Sequence, residues 1–535
     1  MSSKLSNCGK LIWKHKWFLL MELSILFILW LDKKVLFQQM FYVQKMANCL
    51  ALASLIMTAV IYFGHYVKEL SLHKIYLVIG FLMGLCYMFM IPIHYTPDES
   101  VHYFKAYQMS NVLLGVKDPN HKQISMRYDD AIFPYKGTYD DMGEYDVYYT
   151  SVFTDLHVDD EHIVMTKEEP YITQSYPYFL SALAITLGRL LHISTVWTFF
   201  MGRFVNLLFF VAFYAYAIKK IPVAKLGLFG MGLLAIVSQQ SFSFAQDYMI
   251  MSLSMVILAL TLHFWYDLPS GWKKSEWAML VFASACIFPL KNYSYFLLAI
   301  LPLILVFKYW KKDKKAAGKF LLVVGLSFLI MIAWKVYESL VGVQTSVTGS
   351  VMGEHMITWA GVKGWDIPTL LHETFSSSRR LLFLILSRTF MIFGGTYWVQ
   401  AMGEGLGWVN VTVPPFMIYV WFFLFAIMFL RRKQQKIVFN VKTRIFWALL
   451  FLLVAAIVVA GLLLGWTPQI YEYVIGVQGR YFLPVIPCLM FALQTGALTL
   501  DEKYDKQIAV FAVWHACMTL LLTLSYFNIP TNLFD

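Results

Sequence analysis

The chain reads as an all-α polytopic membrane protein, and three observations predict it. Of 535 residues, 59% are hydrophobic and only 14% are charged, where a soluble domain carries about 25% charged residues. Apolar runs able to cross a hydrocarbon core recur along the whole sequence, each needing roughly 20 residues. The Lys and Arg that give the net charge of +11 lie in short clusters between those runs. That is the pattern of cytoplasmic loops under the positive-inside rule; a nucleic-acid partner is not expected.

The apolar runs centre on 17–31, 46–64, 74–94, 195–218, 222–243, 246–266, 275–290, 293–308, 317–340, 412–430, 443–466, 480–500 and 507–527. They predict about thirteen transmembrane helices in a single integral membrane domain, 1–535. The basic start followed by Trp17–Leu31 lacks a small-residue cleavage site, so an uncleaved first helix with a cytoplasmic N-terminus is expected. Lys219–Lys220, Lys273–Lys274, Lys308–Lys319, Arg431–Lys436 and Asp501–Lys506 all fall on the cytoplasmic side only if 176–192 and 380–397 do not cross. These two segments are therefore expected as interfacial or re-entrant helices on the outer face. The Lys-rich loops and uncleaved start suit a bacterial plasma membrane. The six cysteines, Cys8, Cys49, Cys86, Cys286, Cys488 and Cys517, form no C-x-x-C pair. They read as small hydrophobes, without a disulfide framework or thiolate metal site.

This topology leaves 95–175 as a large extracytoplasmic loop, too long for a simple connection. It holds 15 of the 32 acidic residues and 6 Lys and Arg. At its start, Thr96, Pro97 and Glu99 have the form of a helix cap, a first-position proline and a capping-box acid. On that helix Asp98, His102 and Lys105 share a face. Asp98 could serve as a catalytic base or merely compensate the helix dipole. Glu99 could complete the capping box or act in its place, and His102 could be a general base, a hydrogen-bond donor to a phosphate, or only hydrogen-bonded to its neighbour. Arg480 begins a span at its external end, suited to phosphate or to snorkelling. Gln246–Asp247 and Lys291–Tyr293 insert polar groups at the same face, where ionisable residues near a membrane mark function. The acidic pairs Asp129–Asp130, Asp140–Asp141 and Asp159–Glu161 could bind a divalent cation, although solvated loop charge is the commoner state. No P-loop, G-x-G-x-x-G, H-E-x-x-H or G-x-S-x-G motif is present, so no nucleotide site is expected, and no cofactor beyond such a divalent cation.

The segments Thr96-Pro-Asp-Glu-Ser-Val-His102 and Gln478-Gly-Arg-Tyr-Phe-Leu-Pro484, with Tyr176-Pro177-Tyr178-Phe179, Arg203-x-x-Asn206 and Lys291-x-Tyr293, resemble the signatures of a bacterial membrane protein family, domain of unknown function 2142. The resemblance covers roughly residues 75–500. Here Tyr178 stands in place of the family's usual second proline, and Ser100 and Val101 replace small or Pro-Ala residues. The family looks like a branch of the GT-C glycosyltransferases, multi-span enzymes that take sugar from a polyprenyl-phosphate carrier on the outer face. The resemblance implies an inverting enzyme with an acid of the first external loop as base: Asp98, or alternatively Glu99, with His102 beside it. Arg480 and Lys291, with Tyr481 and Tyr293, would hold the donor phosphate. Asp247, Gln246, Lys105 and Arg203 would complete the polar site. The acceptor would be a cell-wall polymer, glycan or lipid. A flippase for a lipid-linked sugar, or a polysaccharide polymerase or ligase, would share much of this architecture.

Overall fold

The computed structural model describes residues 15–36, 40–118, 123–132, 163–166, 175–266, 273–341, 380–407 and 413–527, with positions 13, 38, 372 and 411. The described chain is mostly helical. Among the described residues seven helices are long and apolar enough to cross a membrane: Phe41–Val67, Leu72–Met90, Thr195–Lys220, Asp247–Tyr266, Lys314–Tyr337, Val441–Trp466 and Glu502–Ser525. The other six apolar runs form shorter or interrupted helices. Lys16–Leu31, Lys274–Ile287 and Pro415–Phe429 are short. Run 222–243 divides into Lys225–Met231 and Ala235–Phe242. Run 293–308 divides into Phe296–Ala299 and Leu303–Tyr309, with Pro302 capping the second piece. Run 480–500 becomes the turn Gly479–Phe482, the helix Ile486–Leu493 and a short strand.

Segment 176–192 is a turn at Tyr176–Tyr178 followed by the helix Phe179–Leu190, too short for a bilayer. Segment 380–397 lies within the longer helix Arg380–Met402. The structure also departs from an all-helical chain. In the large loop Ser125–Arg127 pairs antiparallel with Ile163–Met165, Ser125 opposite Met165. Arg431–Arg432 pairs in parallel with Thr499–Leu500. Among the described residues the five cysteines Cys49, Cys86, Cys286, Cys488 and Cys517 are free; Cys8 lies outside them.

The helices share two ends with different chemistry. At one, Lys220 pairs with Glu276 and Lys506 with Glu69. There too Arg432 Nε lies 2.6 Å from Asp505 Oδ1, and Gln434 donates to Asp501 at 3.2 Å. Two of the basic clusters, Arg431–Lys436 and Asp501–Lys506, thus meet in space. At the other end lie Asp98, Asp247, Lys291 and Arg480. Between them the buried interior is mostly apolar and aromatic, with Trp421, Trp447, Tyr76, Tyr87 and Tyr214 among its largest enclosed side chains.

Candidate functional site

The site is built from helix ends and broken helices, the places where a membrane bundle leaves backbone and polar groups free. Asp247 is the first residue of the helix Asp247–Tyr266. It follows a break in which the Ser243 hydroxyl accepts from Ala245 N–H at 3.1 Å. Asn206 holds that break by donating to the Ser243 carbonyl at 3.0 Å, while its own oxygen accepts from Ser181 at 2.9 Å. Lys291 lies in a single turn, Leu290–Tyr293, capped by Pro289. Arg480 lies in the tight turn Gly479–Phe482.

These segments converge. Lys291 Nζ donates to Asp247 Oδ1 at 2.6 Å, and Arg480 Nε stands 4.0 Å from Asp247 Oδ2. Both Asp247 and Arg480 are buried, yet Asp247 Oδ2 and Arg480 Nε make no hydrogen bond. Tyr481 lies under both cations, 4.1 Å from Lys291 Nζ and 5.2 Å from the Arg480 guanidinium carbon, close enough for cation–π attraction. Its carbonyl accepts from Tyr295 at 2.8 Å.

A second row faces this cluster. The His102 ring stacks on Tyr178 and its Nδ1 lies 2.7 Å from the Tyr178 hydroxyl. Gln246 donates to that hydroxyl at 3.2 Å and accepts from the Lys291 backbone N–H at 3.3 Å. The ring is held neutral: burial lowers its pKa to about 4, against the opposing pull of the Asp98 and Asp247 carboxylates. Asp98 is exposed, and its charge reaches His102, Tyr178 and Arg480.

Backbone strain gathers here too. His94, Asp98, Lys291 and Tyr293 have φ of 60°, 60°, 45° and 64°. Aspartate tolerates the left-handed region; lysine and tyrosine rarely adopt it, and such residues cluster at functional sites.

Several expected site residues lie elsewhere. The helix starts at Glu99, and Asp98 at its N-cap makes no side-chain cap. Thr96 instead meets the Ser243 hydroxyl at 3.1 Å, so the capping box read from the sequence does not form. Glu99 is not beside Asp98 at the site. It is fully buried in a bidentate pair with Arg203, at 2.9 and 2.5 Å. Arg203 also donates to the carbonyls of Met88, Ile91 and Pro92, which satisfies all five of its N–H groups. The pair therefore fixes the turn that carries Asp98, and Arg203 has no donor left for a substrate. Lys105 is buried and its charge acts on Asp118. Tyr293 is exposed and meets Phe288 edge to face.

Of the acidic pairs, Asp130 is buried: Arg127 Nε lies 2.6 Å away, and Tyr107 and Thr195 donate to it at 2.8 and 2.6 Å. Asp140–Asp141 and Asp159–Glu161 lie outside the described residues. Among the described residues no group of three or more His, Cys, Asp or Glu is placed to hold a metal ion.

Sequence reasoning missed Gly479 and the hydrogen-bonding roles of Tyr178 and Gln246. A Cβ on Gly479 would run into the Tyr397 carbonyl and lie 2.5 Å from Ala401 N, and Gly479 N–H already donates to Gln400 at 3.0 Å. Only glycine lets the Arg480 turn press against the helix Arg380–Met402. Gly479→Ala should cost about 1–3 kcal/mol as overpacking, seen as a lower thermal midpoint of the detergent-purified protein; an unchanged midpoint would contradict this contact. A glycine directly before the arginine was the available signal, but its neighbour is some 80 residues away in sequence.

No curated protein and no solved structure matches the chain. The match that exists is to a family model described as predicted membrane protein (DUF2142); it covers residues 81–489 and spans every segment of the site, and the chain belongs to that family.

Proposed function

We propose that the protein is a GT-C-type inverting glycosyltransferase that moves a sugar from a polyprenyl-phosphate carrier to an extracytoplasmic acceptor: a cell-wall polymer, a glycan or a lipid. The observation that carries this reading is an exposed carboxylate, Asp98, whose charge reaches Arg480 in the buried cluster Lys291–Asp247–Arg480. A base on one side and paired cations on the other is what a single displacement at a sugar phosphate needs. The acceptor O–H attacks the anomeric carbon and gives its proton to Asp98. The bond from that carbon to the phosphate oxygen breaks, and the phosphate leaves with the electron pair beside Lys291 and Arg480.

In this reading the site faces outward, the Lys-rich end faces the cytoplasm of a bacterial cell, and the shorter broken helices complete about thirteen crossings.

The broken helices favour one further reading, a flippase for a lipid-linked sugar, because discontinuous helices line transport sites. Envelope glycans compared by mass spectrometry between a deletion strain and its wild-type complement test the proposal. Loss of one sugar decoration on deletion is expected, and identical glycans would sink it. Lys291→Ala and Arg480→Ala should each lower transfer by about 10–100-fold, since a hydrogen bond to a charged group is worth about 1.5–3 kcal/mol. Unchanged rates of carrier consumption by purified variants would remove them from phosphate binding.

A further inference from the structure

We propose that His102 is a fixed hydrogen-bond donor: Tyr178 and Gln246 lock its neutral ring with the proton on Nε2, and that N–H binds an anionic oxygen of the lipid phosphate. The argument follows from which groups can only donate. The Lys291 backbone N–H has no lone pair to offer, so the Gln246 atom 3.3 Å from it must be the amide oxygen. The Gln246 amide nitrogen then points at Tyr178, 3.2 Å away, and can only donate to it. Tyr178 has one hydroxyl proton, and among the described residues His102 Nδ1 at 2.7 Å is the only acceptor its hydroxyl meets, so that proton goes there. Nδ1 is therefore an acceptor. A neutral imidazole carries one proton, so it sits on Nε2.

The relay has a functional consequence. A ring with Nδ1 occupied by Tyr178 and a proton on Nε2 has no lone pair to offer an acceptor hydroxyl. His102 is thereby excluded as the base, and that role is left to Asp98. The ring is half-buried and stacked on Tyr178, so its direction is fixed as well. The charged groups that act on it are Asp98, Asp247, Lys291 and Arg480, the same groups that define the proposed phosphate site. Burial keeps the ring neutral near pH 7, so the N–H adds a directed donor without adding charge. Gln246 carries a second duty: its oxygen holds the strained Lys291 backbone, φ 45°. Tyr178 and Gln246 are thus positioning residues that couple the placement of Lys291 to the tautomer of His102. The ligand in this proposal rests on the reading of the site as a lipid-phosphate site; the tautomer does not.

Two measurements on the full-length protein in nanodiscs test it. The first is nitrogen NMR of protein labelled at histidine with ¹⁵N, with His102 assigned by its loss in His102→Gln. At pH 7 a protonated Nε2 and a bare Nδ1 are expected, changing to a mixture of tautomers in Tyr178→Phe. A protonated Nδ1 with a bare Nε2 would overturn the proposal. The second is binding of farnesyl phosphate. His102→Ala should weaken it about tenfold, the low end for a hydrogen bond to a charged group, while His102→Gln, which places an N–H near Nε2, should lose clearly less. Equal loss in both variants would overturn the donor role. If Lys291→Ala binds farnesyl phosphate as well as wild type does, the phosphate reading of the site fails, and the spectrum still decides the tautomer.

Discussion

Asp98→Asn is expected to abolish glycosyl transfer while leaving the protein folded and inserted. General-base catalysis is worth about 10²–10⁴-fold, and asparagine keeps the shape but cannot take the proton. The substitution is unusually clean. Asp98 is exposed and makes no side-chain cap to its helix, so its removal exposes no buried partner. Asparagine also tolerates the left-handed backbone that this position adopts, φ 60°. Carrier consumption by the purified variant is the measurement. A rate within threefold of wild type would end the assignment of Asp98 as base and favour transport. The corresponding change at Glu99 should behave differently, by loss of folded protein before any loss specific to catalysis.

Arg203→Ala should be the most destabilising single change at this end of the molecule. Removing one partner of a buried ion pair costs about 3–5 kcal/mol. Glu99 would be left enclosed without its partner, and the carbonyls of Met88 and Ile91 would lose the Arg203 donor, while that of Pro92 keeps Tyr95 N–H at 3.3 Å. Arg203→Lys should restore little, because an ammonium cannot reproduce the planar five-donor fork. The double change Arg203→Met with Glu99→Leu should recover part of the stability, since it removes the orphaned charge but still strands the Met88 and Ile91 carbonyls. Thermal unfolding of purified variants and the yield of inserted protein report these effects. An Arg203→Ala protein with a wild-type midpoint would show that the pair does not hold the Asp98 turn.

Asp98 and Glu99 illustrate how far local sequence reaches. Thr96, Pro97 and Glu99 have the composition of a capping box, and the helix does start beside them. What the local pattern could not contain is Arg203, 104 residues further on, whose guanidinium takes the Glu99 carboxylate and leaves Asp98 as the free acid. Run 222–243 makes the same point for the fold. Its apolar composition is that of one span, yet it divides at Gly232–Leu234, where Tyr76 packs on the backbone and its hydroxyl donates to the Gly232 carbonyl at 3.2 Å.

By itself the sequence determined that this is a multi-span helical membrane protein with an elaborated polar end, and it placed Asp98, Asp247, Lys291 and Arg480 on one side of the membrane. Those conclusions rest on transfer free energy and charge placement, which accumulate residue by residue and need no partner. Tertiary structure alone decided which acid is free, which helices are broken, why Gly479 must be glycine and which nitrogen of His102 holds the proton. Each of those depends on a single atom brought from a distant part of the chain, and hydrogen-bond direction and steric contact are settled only once both atoms are in place.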